Sequence, residues 1–255
     1  MIQKFIVSIR LRATLAHLVL SALVASSVAI LVFRVWYPYP YSYISGGLDL
    51  FGILVGVDVT AGPLVTLVIF SPKKSRRERT LDMAVVVALQ LGALGYGTWT
   101  MHQARPVQLV YEFGQFGVAH AVDVQPMLAA GHLNASDALP LMGPRLKSLR
   151  PFHDSAEQAS ATLMALGGVP LAARADLWQP YEAAIADVLK KSHPLSLLVE
   201  RHPTKQLEIA DAVKKTGIDA SQLRYLPLAS RGKFWTVLVN AQSGLPEGFL
   251  PVDSF

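Results

Sequence analysis

The chain has 255 residues, 52% of them hydrophobic and 16% charged, where a soluble domain carries about 25% charged residues. Its net charge of +5 belongs wholly to residues 1–101, which hold nine of the 23 Lys and Arg but four of the 18 Asp and Glu. A basic excess confined to the flanks of apolar runs excludes a nucleic-acid-binding role, because the rest of the chain has neither basic bias nor an array of stacking aromatics. The absence of Cys removes disulfides, thiol catalysis and thiolate metal sites. The seven His show no HExxH or other compact ligand spacing, so neither metal nor cofactor is expected.

The first apolar run, Leu15 to Phe33, has 19 residues interrupted only by His17 and small hydroxyl residues. As a helix it is about 28 Å long, close to the roughly 30 Å of a bilayer core. Basic residues in front of it and Ala and Ser inside resemble a signal peptide, but its apolar length favours a retained anchor. The second run, Leu48 to Phe70, carries Asp49 at its edge and Asp58 inside; the third, Met83 to Met101, contains Gln90 and no charge. No soluble core of this size could cover all three, so they read as transmembrane helices.

Direction follows from the positive-inside rule. Lys4, Arg10 and Arg12 precede the first span, and Lys73, Lys74, Arg76, Arg77 and Arg79 lie between the second and third. The expected order is a cytoplasmic N-terminus (1–14), a span (15–33), an outer loop (34–47), a span (48–70), a basic cytoplasmic loop (71–81), a span (82–101) and an outer domain (102–255). Trp36, Tyr37 and Pro38 just beyond the first span, Trp99 at the end of the third, and Arg105 and Pro106 after it are expected at the headgroup layer.

Asp58 lies near the middle of the second span, where a carboxylate is costly unless protonated, paired or turned to a wet bundle interior. Two readings stand: an interaction or conformational determinant, or a structural hydrogen bond to Gln90 or a backbone group. Gly52 and Gly56 share a helix face that admits close approach. Gly62 and Pro63 follow, and Pro63 removes a backbone donor, so a kink is expected. His17 reads as an interfacial or packed residue.

In the outer domain Val107 to Phe113 and Phe116 to Val124 read as strands. Residues 126–151 show no clear period. Helices are expected from Ser155 to Leu166, with Asp154 as cap and Glu157 three residues on; from Gln179 to Lys191; and from Thr204 to Lys215, closed by Gly217. Leu223 to Leu228 and Phe234 to Val239 read as strands joined by a turn at Gly232, and Gly248 to Val252 as a last strand or tail. The fold class is thus three N-terminal transmembrane helices followed by a small α/β or α+β domain of about 150 residues. No reaction centre emerges, since His153, Asp154 and Ser155 are neighbours in sequence rather than a convergent triad.

The ordered series Trp36-Tyr37-Pro38 with Pro40, Gly46-Gly47, Leu50-Phe51, Val57-Asp58, Gly62-Pro63-Leu64, Thr66-Leu67, Phe70 and Pro72-Lys73-Lys74 continues through Asp82, Gln90, Ala93-Leu94, Tyr96-Gly97 and Arg105-Pro106. Over about residues 34 to 124 it resembles the type IV pilin accessory proteins, a family of pilin-associated inner-membrane proteins. The tail departs from the pattern, because Ser254-Phe255 follow Asp253 in place of an aromatic residue directly after the Asp.

The resemblance implies a multi-pass protein of the bacterial inner membrane with a periplasmic domain. Its implied role is non-enzymatic: chaperoning the cognate major pilin or modulating its assembly in pilus biogenesis, in contact with the inner-membrane assembly machinery. Before assembly a pilin has one transmembrane helix and a periplasmic head. The rival readings are a membrane-anchored sensor or scaffold of envelope assembly, and a small transporter using Asp58.

Overall fold

The computed structural model describes residues 2–69, 74–129 and 138–255. They form two compact units, one built from residues up to Trp36 together with Gly46–Gln103, the other from Tyr37–Ser45 together with Ala104–Phe255.

The first unit is helical. Helix α1 (Ile2–Leu31) runs on through a π-helical turn at Val32–Trp36; α3 (Gly47–Ile69) and α4 (Arg76–Gln103) complete it. All three are long and apolar enough to cross a membrane. Several of their small hydroxyl residues are compatible with an apolar surround because they bond their own helix backbone. Ser26 donates to the Ala22 carbonyl at 2.7 Å, Ser27 to Leu23 at 3.0 Å and Thr100 to Tyr96 at 2.9 Å.

Helix α4 starts earlier than the apolar run alone indicates. Ser75 caps it, with the Glu78 N–H donating to Ser75 Oγ at 3.2 Å and the Ser75 N–H to Glu78 Oε2 at 2.8 Å, a reciprocal capping box. Arg76, Arg77 and Arg79 therefore lie in its first turn. Lys73 and Phe70 lie outside the described residues. Helix α3 continues unbroken past Pro63 to Ile69. It packs against both α1 and α4, and Phe33 meets Phe51 edge-on at 5.0 Å.

The second unit is a mixed sheet with helices. Its elements are α2 (Tyr41–Ile44), β1 (Pro106–Tyr111), β2 (Phe116–His120), α5 (Ala121–Ala129), β3 (Arg145–Leu149), α6 (Ser155–Leu166), β4 (Trp178–Pro180), α7 (Ile185–Lys191), β5 (His193–Pro194), α8 (Leu195–Arg201), α9 (Gln206–Thr216), β6 (Leu223–Ser230), β7 (Lys233–Asn240) and β8 (Pro246–Leu250). The strand order is β4-β3-β1-β2-β6-β7-β8, with β5 pairing β6. The β1–β2, β6–β7 and β7–β8 pairs are antiparallel, whereas β1–β3 and β2–β6 are parallel.

Both faces of this sheet are covered. Leu226, Leu228, Val237 and Val239 pack on one side with Tyr111 and Phe116, and Leu223, Tyr225 and Leu238 on the other with α8 and α9. That double burial explains the continuous apolar run of β7, which a half-buried strand would not show.

Several expectations hold. Asp154 Oδ1 accepts from the Glu157 N–H at 2.7 Å and caps α6 over its expected span. Gly217 ends α9 with φ +70°, and Arg231-Gly232, at φ +46° and +74°, make the two-residue turn of the β6–β7 hairpin. Others need correction. Strand β2 stops at His120 because α5 begins at the next residue. The expected helix from Gln179 is a strand first: Trp178–Pro180 pairs with β3 before a tight turn leads into α7 at Ile185. The last strand begins at Pro246 and ends at Leu250, earlier than expected.

Candidate functional site

Four polar side chains or backbone groups meet inside the helical unit, among otherwise apolar residues. Gln90 on α4 donates from Nε2 to the Asp58 carbonyl of α3 at 3.2 Å. That contact turns its Oε1 toward His17 of α1, where Nε2 lies 2.6 Å away and must supply the proton. The other ring nitrogen of His17 meets the hydroxyl of Thr66 on α3 at 2.6 Å, and Thr66 is wholly buried. One side chain from each of α1 and α4 is thus tied to α3. In an apolar environment such links take the place of the hydrophobic effect as the term that selects neighbours.

Gly62 makes room for this centre. A Cβ there would lie 1.9 Å from Gln90 Nε2 and 2.7 Å from its Cδ, so any side chain would displace the amide from its bonds. Gly97 does the same for apolar packing, since a Cβ would fall 2.3 Å from Leu54 Cδ1. Gly52 and Gly56, expected at a close helix contact, face open space: a Cβ at either would meet nothing within 4 Å. Pro63 is buried beside Gly62.

Asp58 lies at the middle of α3 and is 7% exposed. Gln90 reaches its backbone carbonyl, so the anticipated bond to Gln90 forms without using the carboxylate. Among the described residues that carboxylate has no hydrogen-bond or ion-pair partner. His17 is the member that sequence reasoning missed. Its signal is an imidazole inside an apolar run, which is costly there unless both nitrogens find partners.

The aromatic and basic residues expected at a headgroup layer separate into two environments. Trp36 packs edge-on against His102 at 5.0 Å, and Trp99 lies exposed beside Tyr96 with ring centroids 5.9 Å apart, all within the helical unit. Tyr37, Arg105 and Pro106 are buried in the α/β unit. The Arg105 guanidinium reaches the Pro140 carbonyl at 3.5 Å, and its own carbonyl accepts from the Ala121 N–H at 2.9 Å. Burial pushes the Tyr37 phenol up to about 12, with Arg231 and Arg105 opposing the rise. Pro38 accepts from the Tyr41 N–H at 2.8 Å and so opens the turn that delivers Tyr41 and Ile44 into the core. Of the basic residues, Lys74 pairs with Asp82 at 2.6 Å on the surface.

The α/β unit has its own polar depression, of about 500 Å³, with Glu112, His120, Asp123 and Arg231 in its lining. Burial raises the Glu112 carboxyl to about 7 against the lowering effect of bonds from Gln115 and the Ala172 backbone. Gly117 leaves the space it occupies, because a Cβ there would lie 1.9 Å from Glu112 Oε1. Burial lowers the His120 pKa, partly offset by the Asp123 carboxylate 3.3 Å from Nδ1.

The model of the fimbrial assembly protein FimB family matches residues 6–46, which takes in most of α1 and the segment Tyr37–Ser45 that joins the α/β unit. The fimbrial assembly protein of serogroup I from Dichelobacter nodosus is 29% identical over 241 residues, covering 94% of this chain and 93% of that one. The serogroup E1 protein of the same organism matches to the same extent. The protein of serogroups C1 and C2 is 38% identical over 108 residues, 42% of this chain and 82% of that one. No solved structure matches the chain. With a relative of that identity aligned over most of its length, and two others aligned across both units, the chain belongs to the fimbrial assembly protein FimB family.

Proposed function

We propose that this chain serves pilus biogenesis as a non-enzymatic accessory of the major pilin, holding the subunit before assembly or promoting its incorporation. The observation that carries the reading is the alignment over 241 residues with fimbrial assembly proteins, which spans both the helices and the α/β unit. The two-unit plan supports it. A subunit with one transmembrane helix and a soluble head presents one surface to lipid and another to water, and this chain offers a unit for each.

In this reading the three helices cross the cytoplasmic membrane with the N-terminus and the Lys74–Arg79 region inside, and the α/β unit lies in the periplasm. The basic residues that flank the apolar runs and the net neutrality of residues 102–255 support that direction. Deleting the gene in a piliated host and measuring pilin abundance and surface pili tests the role. Loss of pili, restored by the wild-type chain in trans, is expected; wild-type pilin level and piliation in the deletion strain would overturn it.

A further inference from the structure

We propose that α3 and α4 form a docking groove for one partner transmembrane helix, that of the pilin, and that this helix offers a hydrogen-bond-donating side chain to Asp58 at mid-depth. The inference rests on the pilin reading for the identity of its occupant. Two adjoining cavities, of about 280 and 220 Å³, share Val57, Asp58 and Ala93. One extends toward Leu50 and Met101 and the other toward Val65 and Val86, so the depression follows α3 for about 23 Å at 1.5 Å per residue. That is most of the thickness of a bilayer core and the length that one crossing helix would cover.

The acid selects the occupant. His17, Thr66 and Gln90 satisfy one another, whereas Asp58, whose carboxylate has no partner among the described residues, is one of the residues that line both cavities. Lipid tails or a wholly apolar helix would leave it unsatisfied in an apolar medium, where an unpaired polar group is costly. A helix presenting an amine, guanidinium, amide or hydroxyl hydrogen would satisfy it. A second copy of this chain would bring another Asp58 toward the first, and two carboxylates disfavour each other.

A photo-crosslinking residue placed at Val57 or Ala93 of the full-length chain in pilus-producing cells, with Gly52 as a position lining neither cavity, tests the groove. Pilin adducts are expected from Val57 and Ala93 and not from Gly52. In Asp58→Leu the yield should fall roughly tenfold, with a smaller loss in Asp58→Asn, which keeps an acceptor oxygen. Equal adducts from all three positions, an undiminished yield in Asp58→Leu, or adducts only to a second copy would overturn the groove. The position dependence in the otherwise wild-type chain decides the matter if Asp58→Leu fails to accumulate. A deletion strain that loses its pilin while groove adducts are absent sinks the groove and leaves the pilin role standing; groove adducts with pilin unaffected by deletion do the reverse.

Discussion

The helical unit and the α/β unit solve opposite problems with the same chain. The α/β unit excludes water: Tyr37, Tyr111, Phe116, Tyr181 and Tyr225 are wholly or almost wholly buried, and its sheet is packed on both faces. The helical unit leaves Leu20, Ile53, Val68 and Leu89 between 59% and 77% exposed, and its helices are specified by a few polar links and close glycines. Stability should therefore respond to lost apolar volume in one unit and to lost polar contacts or added methyl groups in the other.

The sharpest way to break that comparison lies in the short segment between α1 and α3. Ile44 is fully buried and Tyr41 nearly so in the α/β core, although both lie between two apolar helices in sequence. Tyr41→Ala should destabilise the α/β unit by about 3 to 5 kcal/mol, read as protease sensitivity or a lowered melting transition. Tyr43→Ala, at a residue 51% exposed, should cost much less. Equal effects would contradict the assignment of this segment to the core.

Next comes the proton linkage of Glu112. Its carboxyl is raised to about 7 in the folded unit, so it stays protonated where the unfolded chain has already ionised. The contribution is full below the unfolded value near 4.5 and is lost as pH rises toward 7. The difference between pH 5 and pH 8 should be about 2 kcal/mol after allowance for partial exposure, and Glu112→Gln should flatten it. A melting profile of the purified chain that is as pH-dependent in Glu112→Gln as in the wild type would exclude this origin.

Smaller effects are expected among the helices. Gly62→Ala should cost about 1 to 2 kcal/mol of helix association by displacing Gln90, while Gly52→Ala in open space should be near neutral. Thermal unfolding in detergent compares the two directly. Gln90→Leu should cost about 1 kcal/mol, because it leaves His17 Nε2 without an acceptor.

Local chemistry made part of this structure legible. The three apolar runs, the cap at Asp154, the stop at Gly217 and the turn at Gly232 each depend on a few adjacent residues, and each is where the sequence indicates. What sequence reasoning missed depends on distant partners. Tyr37–Ser45 looks like a membrane-edge aromatic cluster until β6, β7 and β8 supply its pocket. Strand β3, Arg-Leu-Lys-Ser-Leu, is specified by pairing between β1 and β4, since three of its five residues are charged or polar.

Within the site, Asp58, Gln90 and Gly62 were legible as polar or small residues in apolar spans. The link through His17 was not, because it joins residues 49 and 73 positions apart. The expected contact at Gly52 and Gly56 failed for the same reason: a small-residue spacing marks a possible face, and the neighbouring helices chose Gly62 and Gly97.

The proposed role requires that the chain touch pilin directly. Affinity purification of the tagged full-length chain from gently solubilised membranes of piliated cells, with quantitative detection of the major pilin, tests it most directly. Pilin should co-purify well above its level in an untagged control and should compete with excess untagged chain. Recovery of the intact, folded chain with pilin at background would contradict the account.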